Sequence, residues 1–145
     1  MVKFISFEQT LKLRSEILRN NLPLNECVFP TDQIEGSFHL GFFEKEELIS
    51  IASFFSNSIT GHQGEGYQLR GMATAKGYAK KGYGKQLLHF VVNYLQNENI
   101  AYLWCNARTT AVPFYHKIGF DFLSDEFEIE GVGPHYKMIL NLNTI

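Results

Sequence analysis

The densest concentration of reactive character in the chain is one turn, Ala75-Lys76-Gly77-Tyr78-Ala79-Lys80-Lys81-Gly82-Tyr83-Gly84-Lys85. Behind it Leu87, Leu88, Val91, Val92 and Leu95 recur with the spacing of one apolar helix face. A helix N-terminus exposes unpaired N–H groups and a partial positive charge. Glycines let backbone approach an anion closely, and lysines add Coulomb attraction. The turn therefore reads as a cradle for a pyrophosphate. Gly77 and Gly82 have P-loop spacing, but Tyr83-Gly84 stands where that loop needs Lys and Ser or Thr. Gly82-Tyr83-Gly84 opens a dinucleotide fingerprint, but Leu87 occupies its third glycine position. The plain alternative is a solvated, glycine-rich loop.

Charge supports the cradle. The 145 residues carry a net charge of −2, from 13 Lys and Arg against 15 Asp and Glu. From Gly66 to Asn97 there is no acidic residue, while Arg70, Lys76, Lys80, Lys81 and Lys85 give +5. The rest of the chain holds 8 basic and 15 acidic residues, a charge of −7. The near-neutral total excludes a nucleic-acid or membrane-surface protein on charge alone. Length and ordinary apolar content fit one domain, residues 1–145. No apolar run approaches membrane-spanning length, and no signal peptide is visible at the N-terminus. Cys27 and Cys105 are too few and too isolated for a disulfide scaffold or a zinc site. They read as reduced thiols of a cytoplasmic protein, and no metal is expected.

The elements that must position the turn follow from periodicity. Val2 to Ser6 is β-prone, and Ser6 with Gln9 forms a capping box for a helix carrying Leu11, Leu13, Ile17 and Leu18. Residues 21–37 are irregular, with room for a short helix. Phe38 to Phe43 and Leu48 to Phe55 form a hairpin across a charged turn. Tyr67 to Met72 is a strand, the helix behind the glycine turn runs to about Asn97, and Tyr102 to Asn106 is a buried strand. Thr109 or Thr110 caps a short helix that Gly119 ends. Phe120 to Phe127 and Tyr136 to Leu142 are the last strands. The strand–helix–strand crossover predicts one parallel pair inside a mixed, mostly antiparallel α/β sheet with helices on both faces.

Lys81-Gly82-Tyr83-Gly84 followed by Gln86-Leu87-Leu88 resembles the acyl-CoA pyrophosphate loop of the GNAT N-acetyltransferase superfamily, Q/R-x-x-G-x-G/A opening a helix. Gly82 and Gly84 match, and Ala79 stands at the Q/R position. Leu69 to Thr74 and Leu103 to Ala107 are similar to the flanking family strands. Ala111 to Phe120 is similar to the family's A-x-x-F-Y-x-x-x-G-F. Gly131 to Met138, with its Gly-Pro-His, resembles small single-domain members. The resemblance implies a parallel strand pair splayed for acyl-CoA, with acetyl-CoA as cosubstrate and a small primary amine as acceptor. It implies cofactor contacts from Met72, Ala73 and Thr74, from Ala79, Lys80, Lys81, Gly82, Tyr83, Gly84 and Lys85, and from Asn106 and Tyr115.

Amine attack on a thioester needs a neutral amine, N–H donors for the oxyanion and an acid for the leaving thiolate. The resemblance assigns the acid to Tyr115; by itself Tyr115 reads as a core tyrosine. The backbone N–H of Met72 is the expected oxyanion donor, freed from the sheet by a bulge. Asn106 would bond pantetheine or the next helix, or simply end its strand. The base is open among His135, His39, Glu65 and His62, with His135 favoured by its place in the C-terminal strand. Cys105 reads as a buried, inert thiol. Phe38, Phe42, Phe43, Phe54 and Phe55 read as core, with some available to wall an acceptor pocket. The acidic remainder predicts attraction for a cationic or amine acceptor. A non-catalytic acyl-CoA sensor on the same fold is the rival reading, and homodimerisation is open.

Overall fold

The computed structural model describes residues 1–143; the last two residues of the expected domain lie outside them. The chain runs through β1 (Val2–Ile5), α1 (Phe7–Leu13), β2 (Phe38–Glu44), β3 (Glu47–Ser56), β4 (Gly66–Thr74), α2 (Tyr83–Asn97), β5 (Tyr102–Arg108), α3 (Val112–Ile118), β6 (Asp121–Phe122), β7 (Phe127–Ile129) and β8 (Gly133–Asn141). The strands form one sheet in the order β1-β2-β3-β4-β5-β8-β6, with β7 also paired to β8. All pairs are antiparallel except β4 with β5. This is the mixed α/β sheet expected from the crossover.

α2 covers one face. Leu87, Leu88, Val91 and Leu95 are fully buried there against Leu40, Ala52, Phe54 and Leu103. At about 1.5–3 kcal/mol for each buried aliphatic side chain, this face anchors the helix. α1 lies on the other face, where Leu13 packs on Ile51 and Ala73. Ser6 caps α1 through the expected box with Gln9. Beyond Leu13 the helix widens into a π-helical turn, Arg14–Leu18, which explains why Ile17 and Leu18 follow α-helical spacing only in part. The irregular stretch hides one 3-10 turn, Leu24–Glu26.

Two details of the β4–β5 region shape everything that follows. The parallel pairing covers only Gly66–Gln68 against Tyr102–Trp104, and beyond it no pairing joins the two strands. Against β3, Arg70 pairs with Ser53 and Ala73 with Ile51, so Gly71 and Met72 both stand opposite Ala52. Gly71 has φ +67°, and a Cβ there would lie 2.8 Å from the Phe29 ring. The extra residue reverses the alternation of faces. Leu69 packs on the α2 side and Ala73, four residues later, on the α1 side.

Two expected details differ. Phe120 to Phe127 is not one strand. Residues 123–126 span what Tyr136 and Lys137 span on β8, so the chain bows out between β6 and β7. Leu123 N–H still donates to the Lys137 carbonyl, and Ser124 Oγ accepts from the Lys137 N–H. Neither threonine caps α3. Residues Thr109–Ala111 form a 3-10 turn, and the Thr109 hydroxyl donates to Glu126 at 2.9 Å.

Candidate active site

Where β4 and β5 part, a cavity of about 810 Å³ opens. Met72, Asn106 and Tyr115 line it, as do Cys105 and His135. The sequence's candidates for acid, oxyanion donor, pantetheine contact and base thus share one chamber. Met72 reaches it because the bulge turns the end of β4. Tyr115 reaches it because α3 follows β5 after a single 3-10 turn and packs beside it.

Tyr115 is 8 % exposed, and its ring meets Phe114 and Phe120 edge-on. Its hydroxyl donates toward Met72 Sδ at 3.8 Å. Burial, with the Cys105 thiol beside it, raises the phenol's pKa well above its ordinary value, so it holds its proton. Cys105 is likewise pushed up, to about 12, by burial, which keeps the thiol neutral and unreactive. His135 is buried, and its Nδ1 lies 2.8 Å from the Gly133 carbonyl. A carbonyl only accepts, so Nδ1 carries hydrogen and a neutral ring keeps Nε2 as acceptor.

The other base candidates lie elsewhere. His39 is locked in the protein interior: Nε2 lies 3.0 Å from the Asp32 carbonyl and Nδ1 2.7 Å from Ser53 Oγ. Burial pushes its pKa down, favouring the neutral ring. His62 stacks edge-on against Tyr102, and neither it nor Glu65 lines the cavity.

The glycine turn sits at the N-terminus of α2. Gly82, φ +89°, precedes the helix, and no acidic residue occupies the first turn. A Cβ on Gly84 would lie 3.0 Å from Met72 Cε and 3.3 Å from Phe114, so glycine is what lets the helix start seat against β4 and α3. Lys80, Lys81 and Lys85 are exposed beside it. The turn is tied to the β2–β3 hairpin: Tyr78 donates to Glu47 at 2.8 Å and Tyr83 to Glu44. Ala79 is exposed on the loop. Ala73 is buried and Thr74 bonds Ser50, so from these two only backbone is free for a ligand.

The opposite end of the chamber was not foreseen. Arg14, fully buried, makes a bidentate pair with Asp32 at 2.7 and 2.8 Å and also donates to Ser53 Oγ and the Cys27 carbonyl. Its guanidinium lies 3.7 Å over the Phe29 ring. Arg70 lies 4.2 Å and Arg19 5.7 Å from the same ring. Arg70 therefore does not join the lysines of the cradle, as the charge window implied. None of Phe38, Phe42, Phe43, Phe54 and Phe55 lines the chamber; Phe29 does. The acidic surround expected for the acceptor is not there either: Arg19, Arg70 and Arg108 line the cavity and no Asp or Glu does. The excess negative charge lies outside it.

Among the described residues no group of three or more His, Cys, Asp and Glu side chains is placed to hold a metal ion, and no helix is long and apolar enough to cross a membrane.

Comparison with known proteins agrees with this geometry. A family model described as an acetyltransferase (GNAT) domain matches residues 29–142. The uncharacterized N-acetyltransferase YitI of Bacillus subtilis (strain 168) is 40% identical over 146 residues, covering 99% of this chain and 97% of its own. An aminoglycoside 6'-N-acetyltransferase complexed with coenzyme A has the same fold: TM-score 0.74, 10% identity, 100% and 98% of the two chains covered. So has FeeM, an N-acyl amino acid synthase from uncultured soil microbes, with TM-score 0.79, 12% identity, and 98% and 95% covered.

Proposed function

Because the chain belongs to the GNAT acetyltransferase family and is an N-acetyltransferase, we propose that it moves the acetyl group of acetyl-CoA directly to a primary amine of a small molecule, in a ternary complex. The observation that carries this reading is the convergence of the Met72 bulge, the buried protonated Tyr115 and His135 on one cavity at the β4–β5 splay.

The glycine turn and the start of α2 fit the pyrophosphate, since the helix start offers unpaired N–H groups, three neighbouring lysines and no acidic residue of its own in its first turn. The parted edges of β4 and β5 offer backbone groups to the pantetheine arm, with Asn106 beside it. Met72 N–H, at the bulge, donates to the oxyanion that develops on the thioester carbonyl. His135 Nε2 accepts the proton that the amine loses as its C–N bond forms. Tyr115 O–H gives its proton to the departing sulfur as the C–S bond breaks. The products are an N-acetylated amine and CoA thiol, and no acyl-enzyme forms: Cys105, the thiol that lines the chamber, is held neutral.

Saturating CoA or acetyl-CoA should raise the Tm, by about 2.7 kcal/mol of added stability at a hundredfold excess over Kd. CoA thiol should be released only when acetyl-CoA and an acceptor amine are both present. No Tm shift would remove the proposed cosubstrate. A shift without thiol release from any amine is the behaviour of an acyl-CoA sensor.

A further inference from the structure

The acceptor end of the cavity is cationic without compensation. Arg19, Arg70 and Arg108 line it, and among the described residues none has a carboxylate within 4 Å. Among the described residues the one ion pair is Arg14–Asp32, and it consumes the carboxylate nearest the cluster. Glu128 and Glu130 flank the lining residue Ile129 but are exposed and stay outside the chamber. Arg70 is half-buried and so pays part of the desolvation cost of a charge without a counter-ion in return. Burial and the like charges of Arg19 and Arg14 lower its pKa, outweighing the raising influence of Asp32, which is already paired to Arg14.

Phe29 explains how the cluster holds together. Its ring accepts Arg14 and Arg70 at close range, and the ring is itself fixed because the Phe29 N–H donates to Asp32 at 2.8 Å. A ring can orient guanidinium planes, but it offers no acceptor to their N–H groups. Those donors, in fork geometry, match a carboxylate or phosphate.

Resting on the acetyl-transfer reading, we propose that the acceptor amine also carries an anionic group, a carboxylate or a phosphate, which Arg70 and Arg19 bind while the amine is presented toward Met72 and Tyr115. Polyamines and other purely cationic amines are then poor acceptors, although the protein as a whole is acidic.

The test is thiol release from acetyl-CoA with matched amines at constant ionic strength. L-amino acids are compared with their carboxamides, aminoalkylphosphonates with the corresponding amino alcohols, and spermidine is included. The first pair reports on a carboxylate, the second on a phosphate. An amide lowers the basicity of the amine beside it and so enriches the attacking form; a preference for the acid cannot arise from amine protonation. The expected result is kcat/KM at least tenfold higher for the anionic member of a pair. In Arg70→Gln and, independently, Arg19→Gln, that ratio should fall toward one while the Tm shift with CoA persists. Equal or better turnover of neutral or cationic members overturns the proposal, as does a ratio unchanged in both variants or turnover of other amines but of no anionic one. Failure of the acetyl-transfer reading shows separately, as no CoA-induced Tm shift in the wild-type protein or as a shift with no thiol release from any amine.

Discussion

Tyr115 shows how a residue type and its surroundings divide a chemical task. A phenol is a weak acid anywhere, but burial raises its pKa further and so favours the form that still holds its proton. Tyr115→Phe keeps the ring between Phe114 and Phe120 and removes the proton alone. It should lower kcat by about 10²- to 10⁴-fold with little change in CoA affinity, as steady-state kinetics and a CoA titration would show. Unchanged turnover would take Tyr115 out of the mechanism. Tyr115 and Asn106 were singled out through the family resemblance, which rests on short local runs whose spacing survives folding, and Cys105 read as a buried thiol from its apolar strand. Arg14, Arg19 and Phe29 were not, because what brings them together is tertiary: a π-helical turn, an irregular loop and a carboxylate eighteen residues away in sequence. Arg70 was visible but misassigned, since which face of β4 it occupies follows from the strand's register with β3.

At the scale of elements, the bulge in β4 is the decisive device. It turns Met72 toward the splay and leaves Arg70 on the α1 side with Phe29. Gly71 makes it possible through its left-handed backbone and its closeness to the Phe29 ring. Gly71→Ala should therefore cost about 1–3 kcal/mol, a Tm lower by roughly 3–10 °C, because both the φ angle and the ring must yield. A Tm within about 1 °C of wild type would mean the bulge tolerates a side chain. The expectation of a bulge came from the chemistry required of Met72, whereas its exact residues needed the register. The hairpin, α2 and the parallel crossover were readable from periodicity alone. The break between β6 and β7 was missed although Ser124-Asp125-Glu126 interrupts the run with turn-prone residues, and the register with β8 shows the two extra residues pushed outward.

Across the whole molecule the basic charge of the 66–97 window is divided between two places rather than gathered in one. Four lysines of the 66–97 window belong to the turn and the start of α2, while its arginine belongs to the acceptor end. The lysine contribution should be modest and salt-sensitive, since Lys80 and Lys81 are exposed. Lys80→Gln with Lys81→Gln should raise the KM for acetyl-CoA roughly two- to tenfold at low salt and flatten its dependence on NaCl between 50 and 500 mM. A KM and salt slope equal to wild type would assign cosubstrate binding to backbone alone.

The family model begins at residue 29, yet Arg14, which fixes Asp32, and Arg19, which faces the chamber, lie before it. The stretches proposed to cradle the cosubstrate and those proposed to wall the acceptor barely overlap along the chain: 72–85 for one, mainly 17–29 and 129–132 for the other. Substitutions in the second set can therefore accumulate without disturbing the first. Such a scaffold can change what it acetylates by altering its first thirty residues and the turn of its last hairpin, while His135 and the rest of the machinery of transfer are inherited intact.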